Sequence, residues 1–202
     1  MNRLLLVLFT TIFLNLSFAE DIPSALVHKI VGSVTLDGVL LKQGDVIAKP
    51  GVVETKEKSL VQLKIAKWEN SITIGANSKM TLNLNEEKKY TLDSGLCRWK
   101  SDVKEALKKK ANGAGKIFTR QVSMGVRGTD FLVTVNPVLG ESEIIMFDGS
   151  VEMSNLEDTT NTVMVTKGQW GGLGGRFGKK IAAPLDLPPT LLATFEKIIE
   201  AP

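Results

Sequence analysis

Val126-Arg127-Gly128-Thr129-Asp130-Phe131-Leu132-Val133-Thr134-Val135 runs from a glycine-centred turn straight into an alternating segment. Phe131, Val133 and Val135 share one side of that segment, and Leu132 and Thr134 share the other. Alternation with a period of two is the pattern of a strand that buries one face, so this stretch points to a β fold. Gly128 is expected to serve the backbone, through positive φ or a close approach that a Cβ would block.

The same signals recur on either side. Residues 30–36 alternate and end at Asp37-Gly38, a strong hairpin signal. Val39-Leu40-Leu41 leads through Lys42-Gln43-Gly44-Asp45 into Val46-Ile47. Val61, Leu63 and Ile65 share a face, and residues 71–74 precede the turn Gly75-Ala76-Asn77-Ser78. Met80, Leu82 and Leu84 alternate, and residues 90–92 run to Asp93-Ser94-Gly95. Further along stand 143–147, the Asp148-Gly149 turn, 151–153 and 163–166, closed by Lys167-Gly168-Gln169. Roughly a dozen short strands without helical crossovers imply a single all-β domain over residues 20–170. Their recurrence about every 20 residues is compatible with the stacked coils of a β-solenoid, and a β-sandwich or jelly roll remains the alternative.

Three segments depart from this pattern. Residues 1–19 read as a cleavable signal peptide. Arg3 supplies its charge, 4–16 its apolar run, and Ser17-Phe18-Ala19 its cleavage site. The apolar run is short of the ~20 residues of a membrane span, so export to the periplasm without an integral anchor is expected. Residues 101–110 suit a short inserted helix, with Ser101 as N-cap, Asp102 in its first turn and lysines in its last. Residues 171–187 read as a Gly/Pro linker, and 188–202 as an amphipathic helix striped by Leu191, Leu192, Phe195, Ile198 and Ile199. That helix is expected to fold back over an open end of the β core; a partner groove is the alternative.

Charge and chemistry narrow the function. Lys+Arg number 25 and Asp+Glu 22, a balance that demands no polyanion. Lys104, Lys108, Lys109, Lys110 and Lys116 cluster, as a solvated loop face or a contact with an anionic envelope surface. No aromatic residue interleaves with them on the 104–110 run, so nucleic acid is not an expected partner. Cys97 is the sole cysteine, which rules out an internal disulfide and suits a buried thiol. His28 is the single histidine, and HExxH, CxxC and phosphate-binding glycine motifs are missing. The aspartates beside glycines are read as turn formers. No catalytic residue, cofactor or metal is expected from these features. The competing reading is an envelope hydrolase or carbohydrate-active protein, and it needs Asp130, Glu143 or Glu152 to converge with another carboxylate.

Several of these motifs, taken in order, resemble the FecR domain, a bacterial periplasmic module. Gly32-Ser33-Val34 with Leu41-Lys42-Gln43-Gly44-Asp45-Val46-Ile47 is similar to that family's opening. Residues 70–78 resemble its S-x-I-x-[LI]-G-x-x-S element, and Leu92-Asp93-Ser94-Gly95 its next turn. Arg127-Gly128-Thr129 with Phe131, then Gly149-Ser150-Val151, resemble its signature, and 163–169 its closing V-x-x-G-Q. The resemblance implies a twisted, β-solenoid-like domain, and mainly structural roles for Gly44, Asp45, Gly75, Ser78, Gly95, Arg127, Gly128, Thr129, Phe131, Gly149, Val151 and Gly168. It differs from sigma-regulating members, which place a cytoplasmic anti-sigma segment and a membrane helix ahead of the module. The implied protein is an exported, non-enzymatic binding, scaffolding or signalling-related module. Its partner would be a protein or envelope polymer, met by Lys104, Lys108, Lys109 and Lys110 and by Leu191, Phe195 and Ile198.

Overall fold

The computed structural model describes residues 24–65, 70–84, 89–101, 115–174 and 179–199, with 127–129 described in their backbone only. The signal segment 1–19, the expected helix at 101–110 and its lysines 104–110 lie outside the described residues, apart from Ser101. Ser101 ends a strand, paired with Asn70.

Strands form where the alternation places them. In chain order they are β1 (Ala25–Val31), β2 (Val34–Leu36), β3 (Val39–Leu40), β4 (Val46–Ile47), β5 (Gly51–Thr55) and β6 (Leu60–Ile65). Next come β7 (Asn70–Ile74), β8 (Lys79–Asn83), β9 (Lys89–Ser101), β10 (Lys116–Phe118) and β11 (Val122–Asn136). The last are β12 (Glu141–Asn155), β13 (Thr162–Thr166), β14 (Gln169–Gly174) and β15 (Leu185–Asp186), followed by helix α1 (Pro189–Ile198).

All fifteen strands among the described residues belong to one sheet, which is folded into two layers. The front layer runs β4-β1-β6-β7-β9-β11-β12-β14-β15. The back layer runs β3-β2-β5-β8-β9-β10-β11-β12-β13. The long strands β9, β11 and β12 belong to both, so each is creased in its middle. In the chain direction β9 and β11 both pass from back to front, yet they lie antiparallel there, with Phe131 opposite Trp99. They must therefore enter the front layer at opposite ends. Between their back halves lies β10, parallel to β9 and antiparallel to β11, and it closes the sheet into a barrel. The borders at β3, β4 and β15 are only two residues long.

Stacked solenoid coils would lie parallel, whereas among the described strands every pairing except β9–β10 is antiparallel. Where paired strands are consecutive in the chain, as in β2–β3, β6–β7 and β11–β12, short connections join them and permit only antiparallel return. The spacing near 20 residues comes from hairpins of creased strands instead.

The creases explain where small residues fall. Gly95 has φ 87° inside the continuous strand β9, and a Cβ there would collide with Ser78. The Ser78 hydroxyl accepts the Leu96 N–H at 2.9 Å and donates to the Ala76 carbonyl at 3.1 Å. An identical arrangement stands at the neighbouring crease. Gly32 has φ 71° against Ser59, whose hydroxyl accepts the Ser33 N–H at 2.9 Å and donates to the Glu57 carbonyl at 3.2 Å. In each case the residue before the serine is left-handed, Lys58 at 55° and Asn77 at 52°. Asp93-Ser94-Gly95 and Asp148-Gly149, expected as turns between strands, are thus bends within β9 and β12.

Between the layers lies one core. Val53, Leu82, Leu92, Met124 and Met153 come from the back, and Ile65, Ile72, Ile74, Trp99, Phe131 and Val133 from the front. Trp99 meets Tyr90 edge to face with ring centroids 5.2 Å apart, a favourable aromatic geometry. Cys97 is fully buried here as a small apolar group.

The expected linker over 171–187 is corrected in its first residues. Gly171–Gly174 belong to β14 and pair with 141–144 of β12. A Cβ at Gly171 would strike Val165, and one at Gly172 the Trp170 ring, so these glycines serve close packing.

Ser78→Ala leaves the Leu96 N–H without its acceptor inside the crease. It should cost about 1–2 kcal/mol in urea unfolding, with Ser59→Ala giving a similar loss. Unchanged midpoints in both variants would contradict this account of the creases.

Candidate functional site

The residues singled out by the motifs frame the fold and do not gather at one place. Gly75, Ser78 and Gly95 meet at one crease, where the Gly75 N–H also donates to the Leu96 carbonyl at 3.0 Å. Gly149 and Gly168 flank another, joined by the Lys167 N–H to the Gly149 carbonyl at 3.1 Å. Gly44 and Asp45 form the turn before β4, where the Asp45 carboxylate accepts the Lys42 N–H at 2.7 Å. Phe131 and Val151 are fully buried in the core. The backbone of Arg127, Gly128 and Thr129 crosses the crease of β11, where the register with β12 shifts between Arg127 and Asp130. Their side chains lie outside the described residues.

The chemistry concentrates on the outer face of the front layer, and its register can be followed residue by residue. One cross-strand row reads Lys29, Gln62, Thr73, Arg98, Leu132, Ile145 and Trp170. The next reads Lys64, Ser71, Lys100 and Asp130. The face is therefore polar and cationic over β1, β6, β7 and β9, and apolar over β11, β12 and β14.

Helix α1 covers the apolar half. Ile199, just beyond it, is buried with Leu132, Ile145 and Phe147, while Leu192 and Phe195 pack against them together with Leu96 and Trp170. Leu191 and Ile198 stay 40% and 55% exposed on the helix flank. The helix does not cap an open end, as expected, because the barrel is closed. It lies instead where strand alternation leaves Leu132 and Ile145 facing outward.

Arg98 joins the two halves. Its guanidinium makes paired hydrogen bonds to Asp130, Nε–H to Oδ1 at 2.8 Å and Nη2–H to Oδ2 at 2.9 Å. Nη1–H donates to the Glu196 carbonyl at 3.3 Å, which satisfies a backbone acceptor of the last helical turn. The same group lies 4.7 Å from the Phe147 ring centroid, a cation–π distance. Arg98 is 8% exposed, so its charge depends on these partners.

Beside Ile199, the half of the face that α1 does not cover holds a groove of about 370 Å³. Lys29, Gln62, Ser71, Thr73 and Lys100 supply its polar lining, and Leu60 and Ile199 an apolar wall. Lys100 Nζ is 3.6 Å from Asp130 Oδ2 and the side chain is 64% exposed. A second concavity of about 440 Å³ lies beside Asn77, Ser94, Thr134, Asn136, Glu141 and Glu143. There Thr134 Oγ1–H donates to Glu143 Oε2 at 3.3 Å.

Asp130, Glu143 and Glu152 stay apart from one another, although Glu143 shares the second concavity with Glu141 and Asp130 stands opposite Asp148 in the ladder. Asp130 is bound to Arg98; Glu143 stands opposite Thr134, four positions further along β11 and so roughly 13 Å away. Glu152 faces Gly125 in the back layer. His28 is exposed on β1, and among the described residues no three His, Cys, Asp or Glu side chains group as metal ligands. The motif reading passed over Arg98, Lys29 and Lys100. The alternation of Leu96, Arg98 and Lys100 against Cys97 and Trp99 was the available signal, but the neighbours of these residues emerge only with the register.

No protein-family model and no curated protein matches the chain. Two solved structures share its fold, crystal structures at 2.50 Å and 1.65 Å of a candidate anti-sigma factor from Parabacteroides distasonis. Their TM-scores are 0.57 and 0.56, each at 11% identity, over 73% and 72% of this chain. The chain spans 65% and 64% of the length of those proteins. At this identity the likeness speaks for the architecture alone.

Asp130→Asn removes the counter-charge of Arg98 and should cost about 3 kcal/mol, with faster amide exchange in α1. Unaltered stability and protection would refute the role given to this pair. Burial pushes the Cys97 thiol up to about 12. The folded state thus holds that proton more tightly than the unfolded chain, so the associated stability is complete below the ordinary value of 9.0 and fades as pH rises toward about 12. Urea titrations from pH 9 to 11 should show a steeper loss for the parent than for Cys97→Ala; equal slopes would contradict the assignment. These geometries, with the shared architecture, describe an all-β barrel whose likeness is to candidate anti-sigma factors.

Proposed function

We propose that the chain is an exported, FecR-type binding module of the bacterial envelope that relays or scaffolds a signal and performs no chemistry of its own. One coincidence carries this reading. The residues that resemble the FecR motifs fall at the creases and core of a fold shared with candidate anti-sigma factors. Motif and architecture thus meet at the same positions, Ser78 and Gly95 above all. The signal-peptide pattern of residues 1–19 supports delivery to the periplasm. The partner is an envelope protein or polymer. Its contact is the flank of α1, where Leu191 and Ile198 stand two helical turns apart and outside the apolar seam.

In the bacterium that encodes it, the chain should be recovered from the periplasm with Glu20 as its first residue. A photo-reactive group at position 191 or 198 should yield a discrete adduct that the same group at Lys180 does not. Retention in the cytoplasm, or equal reaction at all three positions, would overturn the proposal.

A further inference from the structure

Strand β13 (Thr162–Thr166) borders the back layer, and among the described residues it pairs with β12 alone. Native edge strands are commonly guarded by a lysine, a proline, a bulge or extreme shortness. β13 carries none of these guards: its five residues, TVMVT, are uncharged, and they follow β12 without a register shift. Threonine and valine also favour extended backbone.

The ladder fixes which groups face outward. The Asn155 N–H donates to the Asn161 carbonyl and the Lys167 N–H to the Gly149 carbonyl, each at 3.1 Å. Between these two, antiparallel alternation turns Val163 and Val165 toward β12. It turns the N–H and C=O groups of Thr162, Met164 and Thr166 toward the open edge. Accordingly the Thr166 N–H is taken by the Gln169 side chain at 3.0 Å and the Thr162 N–H by the Thr160 carbonyl at 3.2 Å. Both are local acceptors that an incoming strand can replace.

We propose that β13 pairs antiparallel with β13 of a second copy of this chain, about a two-fold axis at Met164. A two-fold contact must be complementary to itself, and TVMVT reads the same in both directions. In that register Met164 faces its own counterpart, Thr162 faces Thr166, and Val163 faces Val165. All three outward-facing residues then fall in hydrogen-bonded pairs, and Thr–Thr and β-branched pairs are favourable across a ladder. The core-facing row continues from Met153 and Val163 of one copy to Val165 and Val151 of the other, apolar throughout. Asn161 faces Lys167, so no like charges oppose at the flanks, and Glu152, beside Met164, lies three strand spacings (~14 Å) from its counterpart. A ladder of five residues is a small contact, so the dimer dissociates on dilution. It does not involve α1 and stands apart from the relay reading.

Sedimentation equilibrium of the chain from Glu20, which holds every described residue, should show a monomer–dimer equilibrium at concentrations up to about 1 mM. Met164→Lys places two ammonium groups at the axis and should weaken dimerisation at least tenfold. Met164 is 43% exposed, so circular dichroism should report an intact fold. Under mild oxidation Met164→Cys should give a covalent dimer, because the two Cα atoms lie ~5.5 Å apart, within disulfide reach. Thr162→Cys should give none, since its counterpart is four residues along the ladder, ~14 Å away. Cys97 is fully buried and adds no background. A parent chain that stays monomeric, a folded Met164→Lys variant that dimerises like the parent, or equal cross-linking at 162 and 164 would overturn the proposal.

Discussion

A sheet that buries one face against itself has to bend, and bending a paired strand threatens the backbone hydrogen bonds at the bend. The serine–glycine creases resolve that conflict. At Ser78 and Gly95, and again at Ser59 and Gly32, a hydroxyl takes the N–H that the bend would strand. The facing glycine leaves room for that hydroxyl. The two layers, the single core and the closure through β10 all presuppose that strands can turn this corner without losing their partners.

The strands themselves were legible because alternation reports which face is buried. Val61, Leu63 and Ile65 point inward as their spacing implies, and so do Phe131 and Val133. What alternation cannot report is which strand lies next to which. Arg98 meets Asp130 across 32 positions and the Glu196 carbonyl across 98, and neither pairing leaves a trace in local spacing. The solenoid expectation failed for the same reason, since hairpins of creased strands and stacked coils share a similar repeat length. The glycine run after Trp170 was misread because composition alone does not separate a flexible segment from a strand packed too tightly for side chains.

The outer face shows how one surface can be divided between structural and recognition roles. Leu132 and Ile145 are covered by α1, and Arg98 ties the last turn of that helix to the sheet. On the other side of Arg98 the rows continue with lysines and neutral donors that line a groove. The helix end at Ile199 forms one wall of the groove, so its placement sets the shape of the open half.

The lengths of the border strands bear on how the molecule behaves in a crowded compartment. Val39, Leu40 and Val46 are exposed at the rim, a composition that invites edge-to-edge association. Yet β3, β4 and β15 each offer only two residues of ladder, too little to template an incoming chain. Brevity thus guards three of the four margins while leaving greasy side chains in contact with water, and β13, five residues long and paired among the described residues only with β12, is the one border with enough ladder to receive a strand.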